Sequence, residues 1–208
     1  MRADIKNIIF DFGNVILPLD LKASAQAMTS LLKIPYDAYH QEMPAFFRDF
    51  EIGKINTSEF IELLKKESKQ SFSDQDFLQA WNAILLVIPN TTISFLETLR
   101  KRHKLYLFSN TNEVHIGCVK DKMGIEAFQS FEKLFEKAWY SHRIGYRKPD
   151  IAAFEFVLQN AAIRADETIF VDDGKMHIEG ASRVGLHTRW HSPDQHISFT
   201  MKDFLEVE

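Results

Sequence analysis

The apolar run Ile8-Ile9-Phe10 stops at a single carboxylate, Asp11, and Gly13 and Asn14 follow two and three residues later. Glycine and asparagine let a backbone turn sharply and come close to a ligand. A buried strand that ends in an acid is how an open α/β sheet delivers a chemical group to its carboxyl edge. Three later stretches repeat the theme. The run 105–108 leads into Ser109-Asn110-Thr111-Asn112, Arg147-Lys148-Pro149-Asp150 opens a helical pattern, and the run 168–171 leads into Asp172-Asp173-Gly174.

Between these stretches the periodicity switches. From Pro89 onward, helical faces (Ile93, Leu96, Leu99; later Ile151, Phe154, Val157, Leu158) alternate with short expected strands at 104–108, 137–140, 168–171 and 187–190. Such β-α alternation predicts a doubly wound parallel sheet, an α/β core of Rossmann-like type. The continuous apolar character of 168–171 suits a strand covered on both faces. Residues 20–88 carry no convincing strand. Four helices are expected there: 21–32 with Asp20 as N-cap, 36–50 broken or begun at Pro44, one from Thr57, and 74–87. The expected division is a core of residues 1–17 and 89–208, with a small helical bundle, 18–88, inserted after the first strand. The segment 112–123 reads as a helix, and the tail from Asp194 as a peripheral amphipathic piece.

A chain of 208 residues can build one sizeable core and a small accessory unit. A formal net charge of -4 gives no reason to expect nucleic-acid or acidic-membrane binding. The single cysteine, Cys118, excludes an internal disulfide and reads as a small buried hydrophobe. No apolar run is long enough to span a membrane and no leader is evident, so the expectation is a cytoplasmic monomer.

An acid, a hydroxyl, a lysine and an acid pair, in this order, resemble the haloacid dehalogenase superfamily, most of whose members are phosphatases. The wording at Asp11, Asp-x-Gly-Asn in place of Asp-x-Asp, is closest to its sugar-phosphate (glucose-1-phosphate) phosphatase-like branch. The resemblance covers nearly the whole chain. It implies that the helical insert is a cap that covers the active site and selects the substrate.

Asp11 is the candidate nucleophile, since a carboxylate that attacks phosphorus splits one hard displacement into two easier ones. Ser109 and Asn110, with adjacent backbone N–H groups at an expected helix start, are the candidate phosphate cradle. Lys148 is the candidate cation that binds substrate and balances Asp11. Asp172 and Asp173 would repel Asp11 unless a cation stood between them, and hard oxygen ligands beside a phosphate point to Mg²⁺. The resemblance implies that Asp11, the Gly13 carbonyl and Asp172 ligate the metal directly, with Asp173 behind or through water.

Two departures stand out. The acid that usually protonates the leaving group two residues after the nucleophile is Gly13 here, and such an acid is worth about 10² to 10⁴ in rate. Glu51, His142 and His177 are the weighed substitutes. Gly174 and His177 stand where many relatives have Ser and Asn. The leading expectation is a Mg²⁺-dependent phosphatase acting on a small phosphorylated metabolite, such as a sugar phosphate, through an aspartyl-phosphate. The alternatives are a 2-haloacid dehalogenase-like carbon–halogen hydrolase and a non-catalytic protein that binds a phosphorylated ligand.

Overall fold

The structure is a computed structural model that describes residues 4–34 and 44–204. Five strands form one parallel sheet: β1 (Asn7–Phe10), β2 (Lys104–Ser109), β3 (Lys137–Tyr140), β4 (Thr168–Asp172) and β5 (His187–Trp190). Their order is β3-β2-β1-β4-β5, so the chain winds outward in both directions from β1. β1 can be central because its residues are apolar or pairable on both faces. Ile8 and Phe10 join a core cluster with Leu96, Leu99 and Phe131, while Ile9 joins Phe154, Phe170 and Ala181 on the other side. The register pairs Phe10 with Leu107 on one side and with Val171 on the other. Asp11, Ser109 and Asp172 therefore emerge at one carboxyl edge, at the switch point where ligands bind in such sheets.

Helices α1 (Leu21–Leu32), α2 (Ala45–Glu51), α3 (Thr57–Ser68) and α4 (Asp74–Asn82) follow β1. Their starts are set locally. The Asp20 carboxylate accepts from Ala23 N–H at 2.8 Å, and Asn56/Glu59 and Ser73/Asp76 form reciprocal capping boxes. Apolar residues at helical spacing turn inward to a separate core built on Phe60, with Met28, Phe47, Phe50, Leu64 and Phe77 around it. Phe50 stacks on Phe60 at 4.3 Å between centroids.

The expected helix 74–87 ends earlier, at Asn82. The chain then leaves in extended form to meet Leu19, with Asp20 N–H donating to the Ile84 carbonyl and Leu86 N–H to that of Pro18. The two connections between sheet and helices thus lie side by side. Pro44 stands at the start of α2; the part of the expected 36–50 helix before it falls outside the described residues.

The remaining helices are α5 (Asn90–Leu99), α6 (Glu113–Met123), α7 (Ile125–Glu132), α8 (Ser141–Ile144), α9 (Ile151–Ala161), α10 (Lys175–Arg183) and α11 (Ile197–Thr200). α7 has no counterpart in the sequence reading. It follows α6 directly because Gly124, at φ 83°, turns the chain in a conformation that L side chains avoid. The tail packs more deeply than its composition suggests, with Ile197 and Met201 buried in the main core. Among the described residues, no helix is long and apolar enough to cross a membrane.

Candidate active site

Lys148 is fully buried at the sheet edge, an unusual place for an ammonium group. Its Nζ lies 2.7 Å from Asp11 Oδ1 and 2.6 Å from Asp172 Oδ2. It also sits over the rings of Phe108 and Phe170, at 5.4 and 5.3 Å from their centroids. Asn110 holds its backbone at both ends. The Asn110 amide donates to the Lys148 carbonyl at 2.8 Å and accepts from Lys148 N–H at 2.9 Å. Asn110 thus uses its side chain to seat the lysine. α10 closes in from below at Gly180, where a Cβ would stand 2.6 Å from the Pro149 carbonyl oxygen.

Asp172 is saturated with donors. Besides Lys148, its Oδ1 accepts from Gly174 N–H at 2.7 Å and faces His177 Nδ1 at 2.9 Å. The substitutions at 174 and 177 prove to be linked, because a Cβ on Gly174 would lie 2.8 Å from His177 Nδ1. The smaller residue makes room for the larger ring. Asp173 is held by Asn14, read from sequence only as a turn residue, and by Trp190. Asn14 Nδ2 donates to Asp173 Oδ2 at 3.0 Å, and Trp190 Nε1 donates to the Asp173 carbonyl at 2.8 Å. Asn14 itself has φ 57°, a conformation asparagine tolerates, and its Oδ1 accepts from Leu19 N–H at 3.2 Å.

Carboxylate oxygens of Asp11, Asp172 and Asp173 all lie within 4.8 Å of one another. Three acids crowd together, and one ammonium group pairs with two of them. Burial disfavours charge on Asp172, but Lys148 and His177 outweigh it and hold its pKa down to about 2. Burial likewise works against the Lys148 charge, and Asp11 and Asp172 overcome it, so its pKa is raised. Asp11 fares differently: burial, reinforced by the Asp172 charge, pushes it up to about 7 despite Lys148. One lysine cannot neutralise the cluster. A hard divalent cation fits both the all-oxygen donor set and the missing charge.

The rest of the expected site is partly rearranged. Ser109 ends β2 as expected, but it is not at a helix start: α6 begins only at Glu113, with Asn112 as its cap. A phosphate cradle here would be a strand-to-helix loop, without the helix N-terminus. At Gly13 a Cβ would stand 2.9 Å from Leu19 Cδ1, so a leucine packs where the usual acid would project. His142 faces a small separate cavity with Gly53 and Glu113. His177 bonds Asp172. Glu51 is paired with Arg147, their Oε2 and Nε 2.5 Å apart.

A cavity of about 600 Å³ lies between the helices and the sheet edge. Phe47, Phe50, Trp81 and Ile84 give it apolar walls, and Asn110 and Thr111 give it a polar floor. A smaller cleft of about 60 Å³ reaches Gly13 and Ser109 and shares Leu19, Ile84, Asn110, Thr111 and His115 with it. His115 stacks on Trp81 at 5.4 Å. Its Nε2 bonds the Trp81 carbonyl at 3.2 Å and its Nδ1 meets the Asn112 amide at 3.2 Å. A carbonyl can only accept, so Nε2 carries the proton. Burial lowers this imidazole to about 4, which keeps it neutral at pH 7.

A doubly wound sheet with a buried lysine bridging two strand-end acids, a third acid beside them and a covered cavity above defines a hydrolase of the α/β class. The chain belongs to the haloacid dehalogenase-like hydrolase family, which it matches over residues 5–185. It is 29% identical over 188 residues to a D-ribitol-5-phosphate phosphatase of Bacteroides thetaiotaomicron, covering 88% of this chain and 90% of that one. A haloacid dehalogenase family enzyme from the same organism, solved in complex with magnesium and inorganic phosphate, superposes with a TM-score of 0.81 at 26% identity, covering 94% of this chain and 98% of that one. A haloacid dehalogenase-like family hydrolase from Porphyromonas gingivalis superposes at 0.88 with 23% identity, over 99% and 100% of the two chains, and shares the fold.

Proposed function

We propose that the protein is a Mg²⁺-dependent phosphatase that hydrolyses a small phosphorylated metabolite of the sugar- or polyol-phosphate kind. The carrying observation is the cluster of Asp11, Asp172 and Asp173 around Lys148, with carboxylate oxygens within 4.8 Å of one another. The similarity to a D-ribitol-5-phosphate phosphatase supports the substrate class. The fold alone would not, since one fold serves many chemistries. Three clustered acids also weigh against a carbon–halogen hydrolase, whose aspartate needs no metal beside it.

Asp11 is the nucleophile. Its carboxylate oxygen forms a bond to phosphorus as the ester P–O bond breaks, giving an aspartyl-phosphate and a freed alcohol. Water then attacks phosphorus, releases inorganic phosphate and restores the carboxylate. Lys148 pairs with Asp11 and with the transferred oxygens, and Ser109 with the loop at Asn110 holds the phosphoryl group. Asp11, the Gly13 carbonyl and Asp172 would ligate magnesium, with Asp173 steadying it. When bound, magnesium neutralises charge between the attacking carboxylate and the phosphate. Position 13 offers no acid, so the leaving alkoxide takes its proton from water.

Residues 18–88 serve as a cap on a core made of 1–17 and 89–208. The cap encloses a small substrate and leaves no room for a macromolecule. Release of phosphate from D-ribitol 5-phosphate and p-nitrophenyl phosphate tests the reading. Turnover with Mg²⁺ that stops in chelator is expected. Chelator-resistant turnover, or none across a panel of phosphorylated metabolites, would contradict it.

A further inference from the structure

The phosphatase reading leaves open what the cavity recognises beyond the phosphate. Its charged residues answer in pairs. Arg147, next to Lys148 in sequence, faces Glu51 at the end of α2, with 27% of each side chain exposed. Arg48, one turn earlier on α2, pairs with Asp150 at 2.9 Å where both side chains are open to solvent. The positive charges on the helical side of the cavity are therefore matched by acids. The nearby imidazole, His115, is neutral.

The Arg147–Glu51 pair has one further property. Arg147 Nε is buried and 2.5 Å from Glu51 Oε2, yet makes no aligned hydrogen bond. Both residues line the cavity with their charges balanced against each other. A hydroxyl suits such a pair because it can accept from the guanidinium and donate to the carboxylate. A second anionic group does not, because it meets the Glu51 carboxylate and finds no cation without an acid beside it. The surrounding Phe47, Phe50 and Trp81 lower the polarity around the pair and sharpen that difference.

Resting on the phosphatase reading, we infer that Arg147 and Glu51 are specificity-determining residues that read a hydroxyl at the far end of the substrate. The preferred substrate is then a monophosphate of an uncharged polyhydroxyl chain. Bisphosphates and phosphorylated acids are rejected. Glu51 is thus assigned to recognition of the substrate chain, and the leaving-group proton is not its task.

Sorbitol 6-phosphate and 6-phosphogluconate form a matched pair of probes, alike in length and differing at the far end in a hydroxymethyl against a carboxylate. The test is kcat/KM for both, with phenyl phosphate as a reporter lacking hydroxyls, in the wild type, Glu51→Gln and Arg147→Gln. The wild type is expected to favour the polyol by roughly tenfold or more, as expected for one uncompensated charge in a partly dry site. Glu51→Gln should narrow that ratio by roughly tenfold, because Arg147 is then free to attract the acid. Arg147→Gln should lower kcat/KM for the polyol without narrowing the ratio. A pair that merely latches α2 to the core would move all three substrates together in both variants.

Equal wild-type efficiency on polyol and acid, turnover of phenyl phosphate but of neither six-carbon probe, or parallel changes in both variants would overturn the inference and leave the phosphatase reading standing. No hydrolysis of any of the three would overturn the inference as well, and only silence across the wider metabolite panel would also remove the phosphatase reading. The wild-type ratio decides the matter even if a variant fails to fold.

Discussion

The strand-end site and the helical cap solve opposite problems. At the sheet edge, polar groups are packed almost without water, and each is fixed by several partners: Lys148 by two acids and the Asn110 amide, Asp172 by Lys148, Gly174 and His177. In the helices after β1, rings meet rings around Phe60, and the polar contacts lie outside that aromatic centre, in the capping boxes and in pairs such as Lys65–Asp74. The first region spends stability to hold charges in place. The second supplies stability and shape. Substitutions should therefore separate: site changes cost activity more than stability, and cap-core changes the reverse.

The sharpest separation is expected at Asp11. Asp11→Asn should lower phosphatase activity by at least about 10³-fold, since it removes the proposed nucleophile. It should leave the thermal midpoint unchanged or raised, because the substitution relieves repulsion between two buried acids that share one lysine. Activity assays and a melting curve on the same sample test both halves. A large drop in stability would break the comparison.

Phe60→Ala is the counterpart in the cap. Phe60 is fully buried and touches Phe46, Phe47, Phe50, Phe77 and Trp81. Its loss should destabilise the protein by about 3–5 kcal/mol in urea unfolding. Little change would mean that the aromatic cluster is loosely packed.

His115 sits between the two regions and links stability to pH. Its folded pKa, about 4, lies below the free value of 6.5, so the unfolded chain binds the proton more readily. The contribution is complete above pH 6.5 and is lost as pH falls toward 4, by up to about 3 kcal/mol. Replacing His115 with Phe should flatten the acid limb of a stability-against-pH curve relative to wild type. An unchanged limb would show that this imidazole is not the group being charged.

The smallest effect is expected at Asn14, which ties Asp173 to the connection entering the cap. Asn14→Gly keeps the positive φ and removes only the side-chain bonds to Asp173 and Leu19. Magnesium affinity measured by calorimetry should weaken about tenfold, the usual scale for a group behind a metal ligand. An unchanged affinity would mean that Trp190 and the backbone suffice.

Much of the core was legible because its chemistry is local. Strands that run straight into Asp11, Ser109 and Asp172 carry their own punctuation, and parallel register aligns the ends. The helices between β1 and β2 were visible as a change of period. The end of α4 was not, because the residues after Asn82 are apolar and fit a helix until Leu19 pairs with Leu85. α7 was missed for want of a side-chain cap, since Gly124 does the turning. The partners of Asn14, Trp190, Arg147 and Glu51 were hidden for a different reason. Each acts through a partner distant in sequence, and only the fold brings the two together.

The central claim is that Asp11 carries the phosphoryl group. The direct measurement is acid quench of a single turnover with a radiolabelled phosphate ester in the presence of Mg²⁺. The account predicts label on the wild-type protein that appears and decays with turnover, is released by hydroxylamine as an acyl-phosphate should be, and is absent from Asp11→Asn. Release of phosphate by Asp11→Asn at the wild-type rate would contradict it.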